Sequence, residues 1–200
     1  MIMADRIVIT PDLDEDTHTY KALGIVRPGL QEILKLTGYL GHTQFIPEWY
    51  RDFGKHAHHM LDLFDRSELD ELKLDPQLVP VLAGYMDFLR RTGCKVVGSE
   101  VRLWCQTLDF CTTLDKTVFM LGRFGNLDIK ITERVAPVVE KQLCGQDVAW
   151  EDNYPEQPFE FKYALQITRA GDWSLVTKWT RSPKAVWEKV MREFWKARNL

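Results

Sequence analysis

Residues 110–131 decide the fold, and they read FCTTLDKTVFMLGRFGNLDIKI. Apolar and polar side chains alternate along both ends of this stretch, which is the period-two pattern of a β-strand. We predict strands over residues 110–121 and 127–131, joined by a turn rich in glycine and asparagine over residues 122–126. The turn would fold the two strands into a hairpin and bring Asp115 next to Asp128.

The segments around this hairpin carry alternating helical and strand patterns. The predicted helices cover residues 30–37, 47–64, 76–91, 137–150 and 183–198, with a single capped turn at 67–72. Further strand patterns cover residues 6–10, 17–20, 25–27, 95–104, 159–169 and 173–180, with a polar turn at 12–16. This order predicts one α/β (α+β) domain over residues 1–200, with a central mixed β-sheet flanked by helices.

Composition excludes several classes of protein. The 200 residues are 45% apolar and 28% charged, which is typical of a globular domain and not of a disordered chain. The longest apolar runs span a few residues, far from the ~20 that a membrane span needs. The first residues lack a basic segment followed by an apolar one, so we expect no signal peptide and a cytoplasmic protein.

The charge balance bears on nucleic-acid binding. Lysine and arginine number 26 against 29 acidic residues, so the net charge is −3. A passive nucleic-acid coat protein is normally basic. A nucleic-acid enzyme remains compatible with this balance, because carboxylates that hold metal ions count as negative charge until the metal binds.

The four cysteines do not form a metal motif. Cys94, Cys105, Cys111 and Cys144 include no C-x-x-C pair, so a zinc ribbon is not expected. Buried, unreactive thiols are the favoured interpretation.

The triplet Asp128-Ile129-Lys130 is the sharpest chemical feature. Residues two apart in a strand share a face, so Asp128 and Lys130 point one way while the apolar neighbours point the other. If the hairpin brings Asp115 close, two carboxylates repel each other unless a divalent cation binds both. Lys130 could then orient a water or stabilise charge on a phosphate. The alternative is a solvated strand face, since this pattern is short and common.

Three further positions are candidates. Glu100 lies on the preceding strand, where a surface glutamate is the alternative. Gln142 lies on the following helix and, if it faces the sheet, could bind phosphate or Lys130. His56, His58 and His59 span more than one helical face, so we expect at most one to reach the acidic face of the sheet. A solvated or core histidine is the alternative for each.

The ordered set of these features resembles the PD-(D/E)XK nuclease superfamily, in its RecB-like and phage-exonuclease branch. The resemblance covers residues 15–150, and each piece alone is weak. Its pieces in chain order are Thr17-His-Thr-Tyr, Pro28, Ile33-Leu34-Lys35, Gly54-x-x-x-His58, residues 63–70, Glu100, Thr113-Leu114-Asp115, Asp128-Ile129-Lys130 and Gln142-Leu143.

The resemblance implies a restriction-endonuclease-like core over approximately residues 50–180 and a site built on a Mg²⁺ or Mn²⁺ ion. It implies His58 and Asp115 as metal ligands, Asp128 as a bridging ligand, the Ile129 carbonyl as a backbone ligand and Lys130 as the catalytic lysine. Glu100 and Gln142 would support the site. Two positions depart from the family: Thr112 replaces a frequent glycine, and Gln146 replaces a frequent tyrosine, which bears on DNA contact.

The function that the resemblance implies is a Mg²⁺-dependent deoxyribonuclease. We expect an exonuclease of phage or bacterial DNA recombination or repair, with DNA as its substrate and a recombination protein as a further partner. A chain this small encloses DNA more readily as a ring of subunits, so a homo-oligomer is expected. The alternatives are a structure-specific endonuclease and a non-catalytic DNA- or protein-binding module that has kept the fold.

Overall fold

The computed structural model describes residues 8–15, 17–40, 47–177 and 183–198. Its centre is a five-stranded sheet whose strands follow one another in chain order from β4 to β8. Neighbouring strands are antiparallel except β6 and β7, which are parallel, so the predicted mixed sheet is confirmed. The strands are β4 (Lys95–Cys105), β5 (Phe110–Met120), β6 (Arg123–Ile131), β7 (Phe161–Ile167) and β8 (Trp173–Val176).

Helices cover both faces of this sheet, as predicted. They are α1 (Leu30–Leu36), α2 (Glu48–Asp65), α3 (Val79–Thr92), α4 (Val138–Asn153) and α5 (Pro183–Arg198). Apolar residues of α2 and α3 form one buried cluster with Leu127, Ile129 and Ile131 of β6. A second cluster joins α1, α4 and α5 to β4 and β5. The odd-numbered apolar side chains of β6 all pack in the first cluster. The two clusters therefore lie on opposite faces of the sheet.

Helix α4 makes the crossover between the parallel strands β6 and β7, which a short turn cannot join. It is buried along nearly its whole length, including the amides of Gln142, Gln146 and Asn153. The helix therefore lacks a continuous solvent-exposed polar face. Its buried polar side chains must form hydrogen bonds within the protein.

The β5–β6 hairpin corrects one prediction. The turn is only Leu121 and Gly122, with φ of 52° and 74°, the pair of positive values that a two-residue hairpin turn favours. Strand β6 consequently begins at Arg123 rather than at residue 127. Gly125, which we had assigned to the turn, lies in the strand, where an added Cβ would come within 2.6 Å of the Phe161 ring. Close packing of β6 on β7 explains this glycine better than a turn does.

The N-terminal part forms a small antiparallel sheet of β1 (Asp12–Asp14), β2 (Thr19–Ala22) and β3 (Ile25–Arg27). Strands β2 and β3 overlap the strand patterns predicted at residues 17–20 and 25–27, but β1 falls on the polar stretch predicted as a turn. Leu13 explains the difference, because it packs against a buried cluster that includes Tyr20 and Trp104. In the predicted strand at 6–10, residues 8–10 are irregular and residues 6–7 lie outside the described residues.

Two helix starts also differ from prediction. The single turn is a 3₁₀ helix at Glu71–Lys73, where the Asp70 carboxylate accepts the Leu72 N–H, and not residues 67–72. Helix α3 begins at Val79 rather than at residue 76, because Asp75 accepts the Gln77 N–H in a separate turn. The end of one other prediction, residues 178–180 of the last strand, lies outside the described residues.

All four cysteines are buried, as predicted. Burial raises the pKa of Cys94, Cys111 and Cys144 to about 12, so these three remain protonated thiols. None of the helices in the described part of the chain combines the length and apolar character of a membrane span.

Candidate metal centre

His58, Glu100 and Asp115 converge on one point from three elements, α2, β4 and β5. One ligand atom from each lies within 4.8 Å of the other two, and all three residues are partly buried. His58 Nδ1 lies 3.7 Å from the Asp115 carboxylate. Two carboxylates and an imidazole within reach of one another suit a divalent cation such as Mg²⁺ or Mn²⁺.

The pairing of β4 with β5 sets Glu100 opposite Asp115. Ser99 pairs with Lys116 and Val101 with Leu114, so the two acids occupy the position between these pairs. Glu100 has φ of 50° in the middle of a strand, a left-handed conformation that is unfavourable for a residue with a side chain by about 1–2 kcal/mol. Strain of this kind persists where surrounding contacts impose it, and it clusters at functional sites.

Asp115 lies where β5 and β6 separate. Pairing between these strands ends at Lys116 and Leu127, although both strands continue. Beyond that point the Asp115 carboxylate accepts the Ile129 N–H at 2.7 Å. Since the N–H and C=O of a residue in an extended strand point to the same side, the Ile129 carbonyl is directed toward Asp115 as well. This is the orientation that a backbone metal ligand at Ile129 requires.

Asp128 and Lys130 share one face of β6, as the alternation predicted. Lys130 Nζ lies 2.6 Å from Asp128 Oδ2, and Gln142 donates its amide N–H to Asp128 Oδ1 at 2.7 Å. Asp128 is fully buried, whereas the Lys130 side chain is 25% exposed. Gln142 therefore faces the sheet, where it contacts Asp128 and not Lys130.

The surroundings of Glu100 and Asp128 disfavour the ionised forms of their carboxyl groups. Burial and the neighbouring Asp115 raise the pKa of Glu100 to about 8. Burial also raises the pKa of Asp128 to about 7, with Lys130 opposing the shift and Asp115 adding to it. Without a cation, the site therefore takes up protons near neutral pH, and a divalent ion would supply the same compensation.

The two basic groups differ in charge state. Burial lowers the pKa of His58, although Asp115 and a hydrogen bond to the Ile129 backbone oppose this, so the imidazole is neutral at pH 7, which is the form that binds metals. Burial also lowers the pKa of Lys130, but Asp128 and Asp115 outweigh it and the pKa is raised overall. Lys130 is thus a permanent cation beside a potential metal ligand set, and the donor chemistry fits a hard divalent ion.

The structure brings most of the predicted site residues together but changes one grouping. Glu100, rather than Asp128, joins His58 and Asp115, while Asp128 is held by Lys130 and Gln142. His56 and His59 are exposed, so one histidine of the three reaches the acidic residues, as expected.

The residues that depart from the family pattern have structural roles. Gln146 is buried, accepts a hydrogen bond from Asn126 and donates one to the Thr113 carbonyl. Thr112 is buried as well. The Gln146 side chain therefore joins α4 to β5 and β6.

Sequence reasoning missed a second group of charged side chains beside the centre. Lys116 is completely buried and forms an ion pair with Asp65 of α2 at 2.5 Å. Two signals were available: a lysine between Leu114 and Val118 at apolar strand positions, and the i, i+4, i+7 spacing of His58, Asp62 and Asp65 on one helical face.

Neither the known protein-family models nor the curated protein sequences contain a match to this chain.

Proposed function

We propose that the protein is a divalent-metal-dependent deoxyribonuclease. The specific form that we propose is an exonuclease of phage or bacterial DNA recombination or repair, acting in the cytoplasm of a bacterial or phage-infected cell. The observation that carries the proposal is the convergence of His58, Glu100 and Asp115 beside the ion pair of Asp128 and Lys130. The mixed sheet flanked by helices is the architecture that the resemblance implies, and it supports the proposal.

His58, Glu100 and Asp115 would hold the ion, with the Ile129 carbonyl directed toward the same place. A bound Mg²⁺ or Mn²⁺ supplies Lewis-acid polarisation of a phosphate oxygen and lowers the pKa of a water molecule. The ligands themselves contribute a compact negative pocket, which keeps the ion and, once neutralised, admits a phosphodiester. His58 contributes a neutral nitrogen and so adds no further negative charge.

Lys130 acts beside the ion ligands. Asp128 orients its ammonium group, and Gln142 in turn fixes the Asp128 carboxylate. Because a quarter of the Lys130 side chain is exposed while Asp128 is fully buried, the ammonium is the member of the pair that can meet substrate. It can hold the attacking water by a hydrogen bond and stabilise negative charge that develops on the phosphate.

The test is hydrolysis of linear DNA in the presence of Mg²⁺ or Mn²⁺, comparing the wild-type protein with Lys130→Met. Loss of a positioned charge that acts in the transition state lowers the rate by about 10²–10³-fold. Lys162→Met is the matched control, because Lys162 also forms an ion pair with a buried aspartate, at 2.6 Å from Asp147. Equal degradation by wild type and Lys130→Met would overturn the assignment.

Covalently closed circular DNA separates the alternatives, since an exonuclease requires an end. Nicking of the circle would assign a structure-specific endonuclease. A protein that neither cuts DNA nor binds Mn²⁺ would be a non-catalytic DNA- or protein-binding module. The ring-shaped homo-oligomer stays a prediction, which sedimentation analysis would check.

A further inference from the structure

We propose that a buried polar network between α2 and the sheet, made of Lys116, Asp65, Ser99 and Asp62, is the positioning device of the metal centre. The inference rests on the proposed function, because it concerns the geometry of that centre. Lys116, Asp65, Ser99 and Asp62 are positioning residues: they act by holding His58, Glu100 and Asp115 in register, without binding the ion or the substrate.

The network is continuous. Lys116 Nζ lies 2.5 Å from Asp65 Oδ2 and donates to Ser99 Oγ at 2.5 Å. Ser99 Oγ in turn donates to Asp62 Oδ1, also at 2.5 Å. Two further groups close its ends: Arg66 pairs with Asp62 at 2.7 Å, and the Tyr85 hydroxyl donates to Asp65.

Two of the three proposed side-chain ligands are adjacent in the chain to a member of this network, and the third lies one helical turn from a member. Ser99 immediately precedes Glu100, and Lys116 immediately follows Asp115. Ser99 and Lys116 also face each other across the β4–β5 pair. On α2, Asp62 lies one turn after His58. The network therefore joins the helix and the two strands at the three points from which the ligands project.

Stability alone does not account for such a group of charges. The side chains of Lys116 and Asp65 are 2% and 5% exposed, and removing two charges from water is unfavourable enough that well-packed apolar residues often serve as well. Ion pairs and hydrogen bonds also have preferred geometries, so they restrict the orientation of the elements that they join. The apolar contacts of Ala57, Met60 and Leu61 attach α2 to the sheet but do not fix its rotation, whereas bonds to Asp62 and Asp65 do.

The chain contains a matched pair for comparison. Lys162 of β7 and Asp147 of α4 lie 2.6 Å apart with side chains 13% and 9% exposed, so they too form a buried lysine–aspartate pair between a strand and a helix. Neither is adjacent in the chain to His58, Glu100 or Asp115. A general effect of losing a buried ion pair should appear at both pairs, and a positioning effect only at the first.

The experiment compares two double variants of the full chain, Lys116→Met with Asp65→Asn and Lys162→Met with Asp147→Asn. The first readout is the side-chain NMR spectrum of the histidines in the metal-free protein, with His58 assigned from His58→Gln. We expect the His58 signals to shift in the first variant while those of His56 and His59, on the same helix, stay unchanged. The control variant should leave all three unchanged.

The second readout is Mn²⁺ affinity, measured by electron paramagnetic resonance. Losing the groups that orient metal ligands weakens binding by about 10–100-fold, which we expect in the first variant and not in the control. Unchanged His58 signals and unchanged affinity in the first variant would overturn the inference, as would equal changes in the control. If wild type binds no Mn²⁺, the proposed function fails, while the His58 signals still decide this inference.

Ser99→Ala provides a milder version if the first double variant does not fold. It removes the hydroxyl that joins Lys116 to Asp62 but keeps the ion pair of Lys116 with Asp65. A shift of His58 signals with a several-fold loss of Mn²⁺ affinity supports the positioning role. Signals and affinity identical to those of wild type overturn it.

Discussion

Helices α2 and α4 reach the same centre from opposite faces of the sheet, and they do so with different chemistry. α2 keeps a solvent-exposed face and contributes His58, Asp62 and Asp65, which are titratable. α4 is almost wholly enclosed and contributes mainly neutral amides, of which Gln142 touches the site; its buried Asp147 is paired with Lys162. Neutral amides can be buried with satisfied hydrogen bonds at less expense than charges. In the proposed function, α4 therefore orients Asp128 and α2 contributes a metal ligand.

Comparing Gln142→Leu with His58→Gln is the most direct test of the difference between α4 and α2. Gln142→Leu leaves Asp128 Oδ1 without its donor, so Lys130 loses its orientation. We expect a rate of DNA hydrolysis lower by about 10–100-fold, with Mn²⁺ affinity retained. His58→Gln should instead weaken Mn²⁺ binding. The measurements are hydrolysis rates at saturating metal and Mn²⁺ titrations.

A loss of metal affinity in Gln142→Leu as large as that in His58→Gln would contradict the division of roles between the helices. Gln142→Glu serves as a control for size, because it keeps the length of the side chain but places a third carboxylate beside Asp128. We expect it to be less active than Gln142→Leu, since like charges in a buried site repel.

The pH dependence of stability tests the acidic residues that lie beside α2. Burial and Asp115 raise the pKa of Glu100 to about 8 from an ordinary value of 4.5, so the folded state holds this proton more tightly than the unfolded state does. Its contribution to stability is therefore greatest below about pH 4.5 and is lost as pH rises toward 8. Thermal unfolding of the metal-free protein between pH 5 and about 9 should show a falling Tm. Glu100→Gln should reduce the decline without removing it, because burial also raises the pKa of Asp128 to about 7.

Adding Mn²⁺ provides a second test of the pH dependence of Tm. A cation bound by ionised carboxylates competes with protons, so the rise in Tm on adding Mn²⁺ should be larger at high pH than at low pH. An equal rise at both ends of the range, or a decline that Glu100→Gln leaves intact, would place the titrating group elsewhere.

The smallest expected effects come from one glycine on each helix. At Gly54 of α2, an added Cβ would have no atom of the described chain within 4 Å beyond its own helix and immediate neighbours, so Gly54→Ala should stabilise by about 0.5–1 kcal/mol through helix propensity. At Gly145 of α4, the Cβ would lie 2.7 Å from Leu30 and 3.0 Å from Trp187, so Gly145→Ala should destabilise by about 1–3 kcal/mol. Denaturant unfolding measures both, and effects of the same sign would contradict the contrast in enclosure.

The sequence was informative wherever a local period carried the answer. The alternation in residues 127–131 correctly placed Asp128 and Lys130 on one face of a strand. Composition misled where packing prevailed: Gly125 and Asn126 suggest a turn, yet they are buried in β6.

Local sequence patterns could not predict contacts between residues that are far apart in the chain. Lys116 and Asp65 are 51 residues apart, and their ion pair depends on how α2 is rotated against the sheet, which no window of sequence contains. The same holds for Glu100, whose place beside Asp115 follows from the β4–β5 register and from a left-handed backbone in mid-strand.

The parallel pairing of β6 with β7 has a consequence for the order of folding. During synthesis, β4, β5 and β6 can pair as soon as they emerge, because each contacts the strand next to it in the chain. β6 receives its second neighbour only after the whole crossover through α4 has been made. Contacts separated by such a loop form slowly. A nascent chain would therefore hold Asp115 and Asp128 in a hairpin that still lacks β7, so the backbone that carries Asp128 and Lys130 would gain its full set of hydrogen bonds only late in the assembly of the sheet.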